Sequence, residues 1–198
     1  MKKKEDEVRI FQKKNLKGKL KEKKFSRNQK GQVWVETVIY LLIAFVMIGL
    51  VLSFIKPKIE EMRDRTIIEQ SLGILKEIDS TITTIGSPGN QRLINVEIRK
   101  GSIIIDSEND IVKFEIDSTY EYGQPGQIIM IGNIQAITEE NGDNSKVTLT
   151  RDFSEGYDIT YDNQQMVKTL TKASNPYRLF INNRGESSNK VLINFGLE

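Results

Sequence analysis

The residues most able to do chemistry stand together in KGQVWVETVIYLL, residues 30 to 42. Lys30, Gly31 and Gln32 are a basic, a small flexible and a polar residue, placed where a membrane protease reaches an extended chain. Glu36 follows at the head of the most apolar run in the chain. A carboxylate near the end of a span is less unfavourable than at its centre, where scales give about 2.5 to 3.5 kcal/mol for Asp, yet it still wants a partner. The plain alternative is a helical side chain that reaches out to the interface. A second acidic set, Asp106, Glu108, Asp110 and Asp117, falls at positions 1, 3, 5 and 12 of an EF-hand-like register. Ile111 occupies the position that requires glycine and Asp117 replaces the bidentate glutamate, so a polar turn between strands explains the set better than calcium. Histidine and cysteine are both absent. That removes the commonest general base, the commonest transition-metal ligand, disulfides and thiolate chemistry. The composition argues against an enzyme and implies no cofactor and no metal. GQPG does not follow a strand-to-helix phosphate pattern, and no N-x-S/T sequon occurs.

The elements that must position Glu36 begin with a basic head. Residues 1 to 31 carry thirteen basic and four acidic side chains, a net charge of +9, whereas the other 167 residues carry sixteen and twenty-three, a net charge of −7. With few apolar side chains the head should stay solvated or weakly helical. A basic tail invites a nucleic-acid reading, but no binding module follows, and an excess of Lys and Arg beside an apolar span marks the cytoplasmic side of a membrane. The expected partner is the lipid bilayer, with no nucleic acid.

The span is VIYLLIAFVMIGLVLSFI, Val38 to Ile55, uncharged throughout. Counted from Val33 it reaches 23 residues, interrupted by Glu36 and Thr37. At 1.5 Å per residue that is about 35 Å, against about 30 Å of hydrocarbon, so one crossing fits with modest tilt. A buried soluble helix is the alternative, disfavoured by the length of the uncharged run. A cleaved secretory signal has a shorter apolar core and a small-residue cleavage site, which FIKPKIEEMRDR does not supply, so the span should be retained. Trp34 and Tyr40 lie toward the basic end, where amphipathic rings favour the interface.

Pro57 marks a kink or local break, after which helical periodicity resumes. Ile68, Leu72, Leu75, Ile78, Ile82 and Ile85 step by three and four, one apolar seam on a helix whose other faces carry Glu60, Glu61, Arg63, Asp64, Arg65, Glu69, Lys76, Glu77 and Asp79. As one rod, residues 33 to 85 extend about 80 Å, half in lipid and half projecting.

GSPGN, residues 86 to 90, closes the helix, and β-rich runs follow: 93 to 99, 102 to 106, 111 to 117, 127 to 138, 146 to 153, 157 to 162, 177 to 182 and 190 to 195. Val112, Phe114 and Ile116 alternate with Lys113, Glu115 and Asp117, as antiparallel strands with one wet face do. MVKTLTKA, residues 166 to 173, fits a strand or a short helix. The fold class is therefore α+β: a long N-terminal transmembrane helix, an amphipathic extension, and a small antiparallel β-rich head built as a sandwich or curled sheet. Three regions result: a leader over 1–31, a helical region over 32–85 with the span at about 33–55, and an extracytoplasmic head over 86–198.

KGQVWVE resembles the class III signal peptides of archaeal type IV pilin-like proteins, whose K-G-Q-x-S-x-E pattern stands at the head of the transmembrane helix. Lys30, Gly31, Gln32 and Glu36 match; Trp34 departs, where the family often has serine. The resemblance covers about residues 28 to 80, and the head has only a general likeness to pilin heads. It implies cleavage between Gly31 and Gln32 by a membrane aspartic prepilin peptidase, which makes Glu36 the fifth mature residue. It implies too that Glu36 pairs with the freed amino terminus of another pilin-like subunit in a surface filament. Two other uses of the same topology stay open: an uncleaved, membrane-anchored extracytoplasmic binding module, and, last, a tethered hydrolase working through carboxylates.

Overall fold

The computed structural model describes residues 29–198, with side chains from Val33 onward. The expected solvated or weakly helical leader lies outside the described residues as far as residue 28. The chain divides into two compact units, Met1–Val51 and Leu52–Glu198. One helix, α1 (Gln29–Thr84, 56 residues), runs through both, and Pro57 lies inside it. Proline removes a backbone donor and leaves the Ser53 carbonyl without its usual partner, yet the helix does not end there.

In the first unit every described side chain of α1, from Val33 to Val51, is exposed, aromatic and branched aliphatic residues included. No other described residue shields them. Among the described residues α1 is the one helix long and apolar enough to cross a membrane, and its most apolar window has none of its residues buried within the protein. Such surface is stable in hydrocarbon and unstable in water, so the helix is compatible with a single-pass membrane protein.

In the second unit α1 changes character. Ile68, Leu72, Leu75, Ile78 and Ile82 are buried, and Ile85 just past its end is buried with them. These are the six residues of the apolar seam. They join one continuous core with the inner faces of two sheets. The strands are β1 (Gln91–Val96), β2 (Ser102–Asp106), β3 (Ile111–Ser118), β4 (Ile128–Ile131), β5 (Ile134–Asn141), β6 (Asn144–Asp152), β7 (Tyr157–Tyr161), β8 (Val167–Thr171), β9 (Tyr177–Ser187) and β10 (Lys190–Leu197). The first sheet has the order β1-β9-β10-β7 and the second β4-β5-β6-β3-β2-β8. Long helix followed by β-rich head makes the chain α+β.

Alternation decides which face enters the core. On β3, Val112, Phe114 and Ile116 are buried while Lys113 and Glu115 are half-buried and Asp117 is exposed. Three details differ from the sequence reading. Residues 127 to 138, read as one run, form the hairpin β4–β5, because Gly132 takes a left-handed φ of 64° at the first position of a two-residue turn. The undecided segment at 166 to 173 supplies the edge strand β8. The sheets are antiparallel except for β10 and β7, which pair in parallel. The chain leaves β7, forms β8 in the other sheet, and returns through β9, so the last strand meets β7 running the same way. Gly101, between β1 and β2, has φ 81°, and a Cβ there would run into the Glu115 carbonyl; the close passage of β3 requires glycine at that turn.

Candidate functional site

Two places on α1 hold the residues that matter, one in each unit. In the first unit α1 begins at Gln29, so Lys30, Gly31 and Gln32 lie in its first turns and not in an extended stretch. Glu36 is one helical turn beyond Gln32, exposed like its apolar neighbours. Thr37 spends its hydroxyl within the helix, donating to the Val33 carbonyl at 2.9 Å. Glu36 is the one Asp, Glu, Lys or Arg between Val33 and Ile55. Trp34 and Tyr40 are exposed on the same part of α1. A carboxylate on a helix otherwise clad in hydrocarbon is a group in need of a cation when that helix enters lipid or a bundle of similar helices.

In the second unit two acidic residues tie α1 to the six-stranded sheet. Asp64, placed by the sequence reading on a wet face, is only 4% exposed. It stands four residues before Ile68, in register with the apolar seam, which is the signal that reading passed over. Its Oδ1 accepts a hydrogen bond from Lys100 Nζ at 2.6 Å, and its Oδ2 accepts from the Thr119 backbone N–H at 2.8 Å and from the Thr119 hydroxyl at 3.2 Å. Burial pushes the Asp64 carboxyl up, but the Lys100 and Thr119 hydrogen bonds outweigh it and hold the group below its usual value. Asp79, also assigned to the wet face, accepts from Arg151 Nε at 2.5 Å and from Asn133 Nδ2 at 3.3 Å. Arg151 also lies over the Phe153 ring, 4.3 Å from its centroid. Asp64 and Asp79 are fifteen residues apart, about four turns, the first just before the buried seam and the second between Ile78 and Ile82 within it.

Replacing Asp64 by alanine is expected to destabilise the head by about 1–3 kcal/mol, because the Thr119 N–H and hydroxyl lose a charged, buried acceptor while the partly exposed Lys100 turns to water. A lowered denaturant midpoint in detergent-solubilised protein checks this. Acid should act on the same group. Glu115, which burial raises but Lys146 and Lys113 hydrogen bonds lower more, and Asp152, lowered chiefly by Ser154, shift in the same direction. For a carboxyl whose folded pKa lies below its unfolded one, the stabilisation is complete above the unfolded value near 4 and is lost as pH falls through the folded value. The thermal midpoint of the wild type should therefore drop as pH falls below about 4, and the Asp64→Ala variant should show a shallower drop.

The acidic set at 106 to 117 is used internally. Asp106 accepts from the backbone N–H groups of Glu108 and Asn109 and from the Asn109 amide, closing the β2–β3 turn. Asp110 accepts from the Ile159 N–H and from Lys190, and Asp117 accepts from Asn141. Among the described residues no group of three or more acidic side chains is arranged to hold a metal ion. Beside α1, Ile59, Met62, Arg63, Thr66, Ile67, Gln70 and Arg99 line a mostly apolar groove of about 480 Å³.

In comparisons with protein-family models, with curated proteins and with solved structures, nothing matches this chain.

Proposed function

We propose that this chain is a type IV pilin-like structural subunit: a single-pass membrane protein with its basic leader in the cytoplasm and its β-rich head outside, cleaved after Gly31 and able to enter a surface filament or envelope complex. One observation carries the reading. Glu36 is the single charged residue in the apolar stretch of α1 from Val33 to Ile55, five residues beyond Gly31, and the same helix continues into the seam that completes the head's core. A plain anchor needs no such charge. A subunit whose amino terminus is freed beside a neighbour's carboxylate does, because the pair compensates two charges that lipid or a packed helical core leaves unpaired. Cleavage removes the +9 leader that holds the chain at the cytoplasmic face and so permits extraction. The partners are the bilayer, a prepilin peptidase and other pilin-like subunits through α1. The role is structural and needs neither cofactor nor catalytic residue. Mass spectrometry of protein purified from membranes that contain the peptidase is expected to find Gln32 as the first residue; an intact Met1 to Glu198 chain there sinks the processing claim.

A second reading keeps the topology without cleavage, as a membrane-anchored binding module. The groove between Ile59 and Arg99 is the feature that favours it. Shearing cells and imaging the released material separates the two, since only a filament subunit is recovered in sheared appendages.

A further inference from the structure

The head has four sheet edges: β1 and β7 on the first sheet, β4 and β8 on the second. An open edge pairs with any strand that reaches it unless charge, proline or a cover prevents this. Three of the edges carry charge within the strand, Arg92 on β1, Asp158 on β7 and Lys168 on β8. The fourth does not. β4 reads IIMI and sits in a run of 17 residues, Tyr122 to Thr138, without a charge, in a chain where 28% of residues are charged. Its far edge makes no backbone hydrogen bond to another segment among the described residues. Ile128 is 62% exposed and Met130 58%.

We propose that β4 is a pairing edge for a second copy of this chain, two heads joining β4 to β4 antiparallel in one continuous sheet. Charge selects a like partner. Pairing β1, β7 or β8 with itself brings two arginines, two aspartates or two lysines to one short interface, whereas β4 meets β4 with no charge on either side. Geometry selects the register. Directly paired residues of an antiparallel ladder share a face, so positions of equal parity must oppose. Ile128 and Met130 lie on the outer face, while Ile129 and Ile131 are half-buried toward the core. Of the registers that parity allows, the one centred on Ile129 sets Ile128 of one copy opposite Met130 of the other, twice by symmetry, and is the register we propose. The most exposed apolar side chains of the head thereby cover each other. Four residues per strand bury less than the roughly 1,200 Å² of a stable free interface, so the contact belongs to copies held together in one membrane by α1, where effective concentration is high. Neither leader cleavage nor filament entry is required.

The chain has no cysteine, which makes the test clean. Full-length Ile128→Cys protein and a size-tagged Met130→Cys protein are reconstituted into proteoliposomes, separately and as an equal mixture, and oxidised. The mixture is expected to give a cross-linked heterodimer at least five-fold stronger than the homodimer from either variant alone or from Leu93→Cys, an exposed control on β1. Energy transfer between labelled full chains without cysteine at β4 should fall about ten-fold with Ile128→Lys/Met130→Lys, changes at exposed positions that circular dichroism can confirm leave the head folded. No preferential cross-link in the mixture, or energy transfer unchanged by the lysines, overturns self-pairing whatever else β4 touches.

Discussion

Glu36→Ala protein should be cleaved at the wild-type rate and yet disappear from sheared filaments. The two halves of this result separate because the two halves of the proposed site are separate. Lys30, Gly31 and Gln32 supply the scissile segment, and Glu36 lies one turn further along α1. In the proposed filament the carboxylate would face the freed amino terminus of another subunit. Removing it leaves a cation among apolar side chains, and breaking one partner of a buried pair costs about 3–5 kcal/mol, a factor of a hundred or more in an equilibrium. Glu36→Gln should fail similarly, since it keeps the size and loses the charge. Immunoblotting of sheared material, with the amino terminus read by mass spectrometry, checks both arms. Unchanged incorporation refutes the pairing role even if cleavage proceeds.

Leu75→Ala should lower the stability of the head by about 2–5 kcal/mol. Leu75 lies in the middle of the seam, is fully buried, and shares one core with the inner faces of both sheets. A cavity there removes contacts from helix and strands together, and the well-packed aromatics of the core, Phe114 and Phe195 among them, cannot follow it inward without leaving their own partners. Denaturant unfolding in detergent, followed by far-ultraviolet circular dichroism, measures the loss. Arg65→Ala on the exposed side of the same helix should produce no measurable change, since its pairing with Glu69 is a surface contact between two well-exposed side chains. If the two variants were equally stable, α1 beyond Leu52 would not be part of the head's core.

Helix and strands were readable because their signals are local. The three- and four-residue spacing from Ile68 to Ile85 depends only on helical geometry, and all six positions are buried. Alternation on β3 depends only on the pleat, and the inward set is the one that alternation indicates. The length of the apolar run likewise bounds what α1 can cross. Asp64 and Asp79 were misplaced for an equally physical reason. A charged side chain belongs on the wet face unless a partner is brought to it, and Lys100, Thr119 and Arg151 are 36 or more residues away in the chain. The split of residues 127 to 138 at Gly132 needed a backbone angle that an apolar run conceals.

What the sequence by itself determined is the order and character of the parts: a basic N-terminal stretch, a single charge at the head of an apolar run, a seam, and a β-rich acidic head. Those follow from composition and period, which each segment carries alone. Tertiary structure alone decided the division of ten strands into two sheets, the parallel meeting of β10 with β7, the pairing of Asp64 and Asp79 with residues far along the chain, and which sheet edge is left without charge. Each of these depends on which distant segments become neighbours, and pairing of that kind is settled by closing one shared core, not by any segment's own preference.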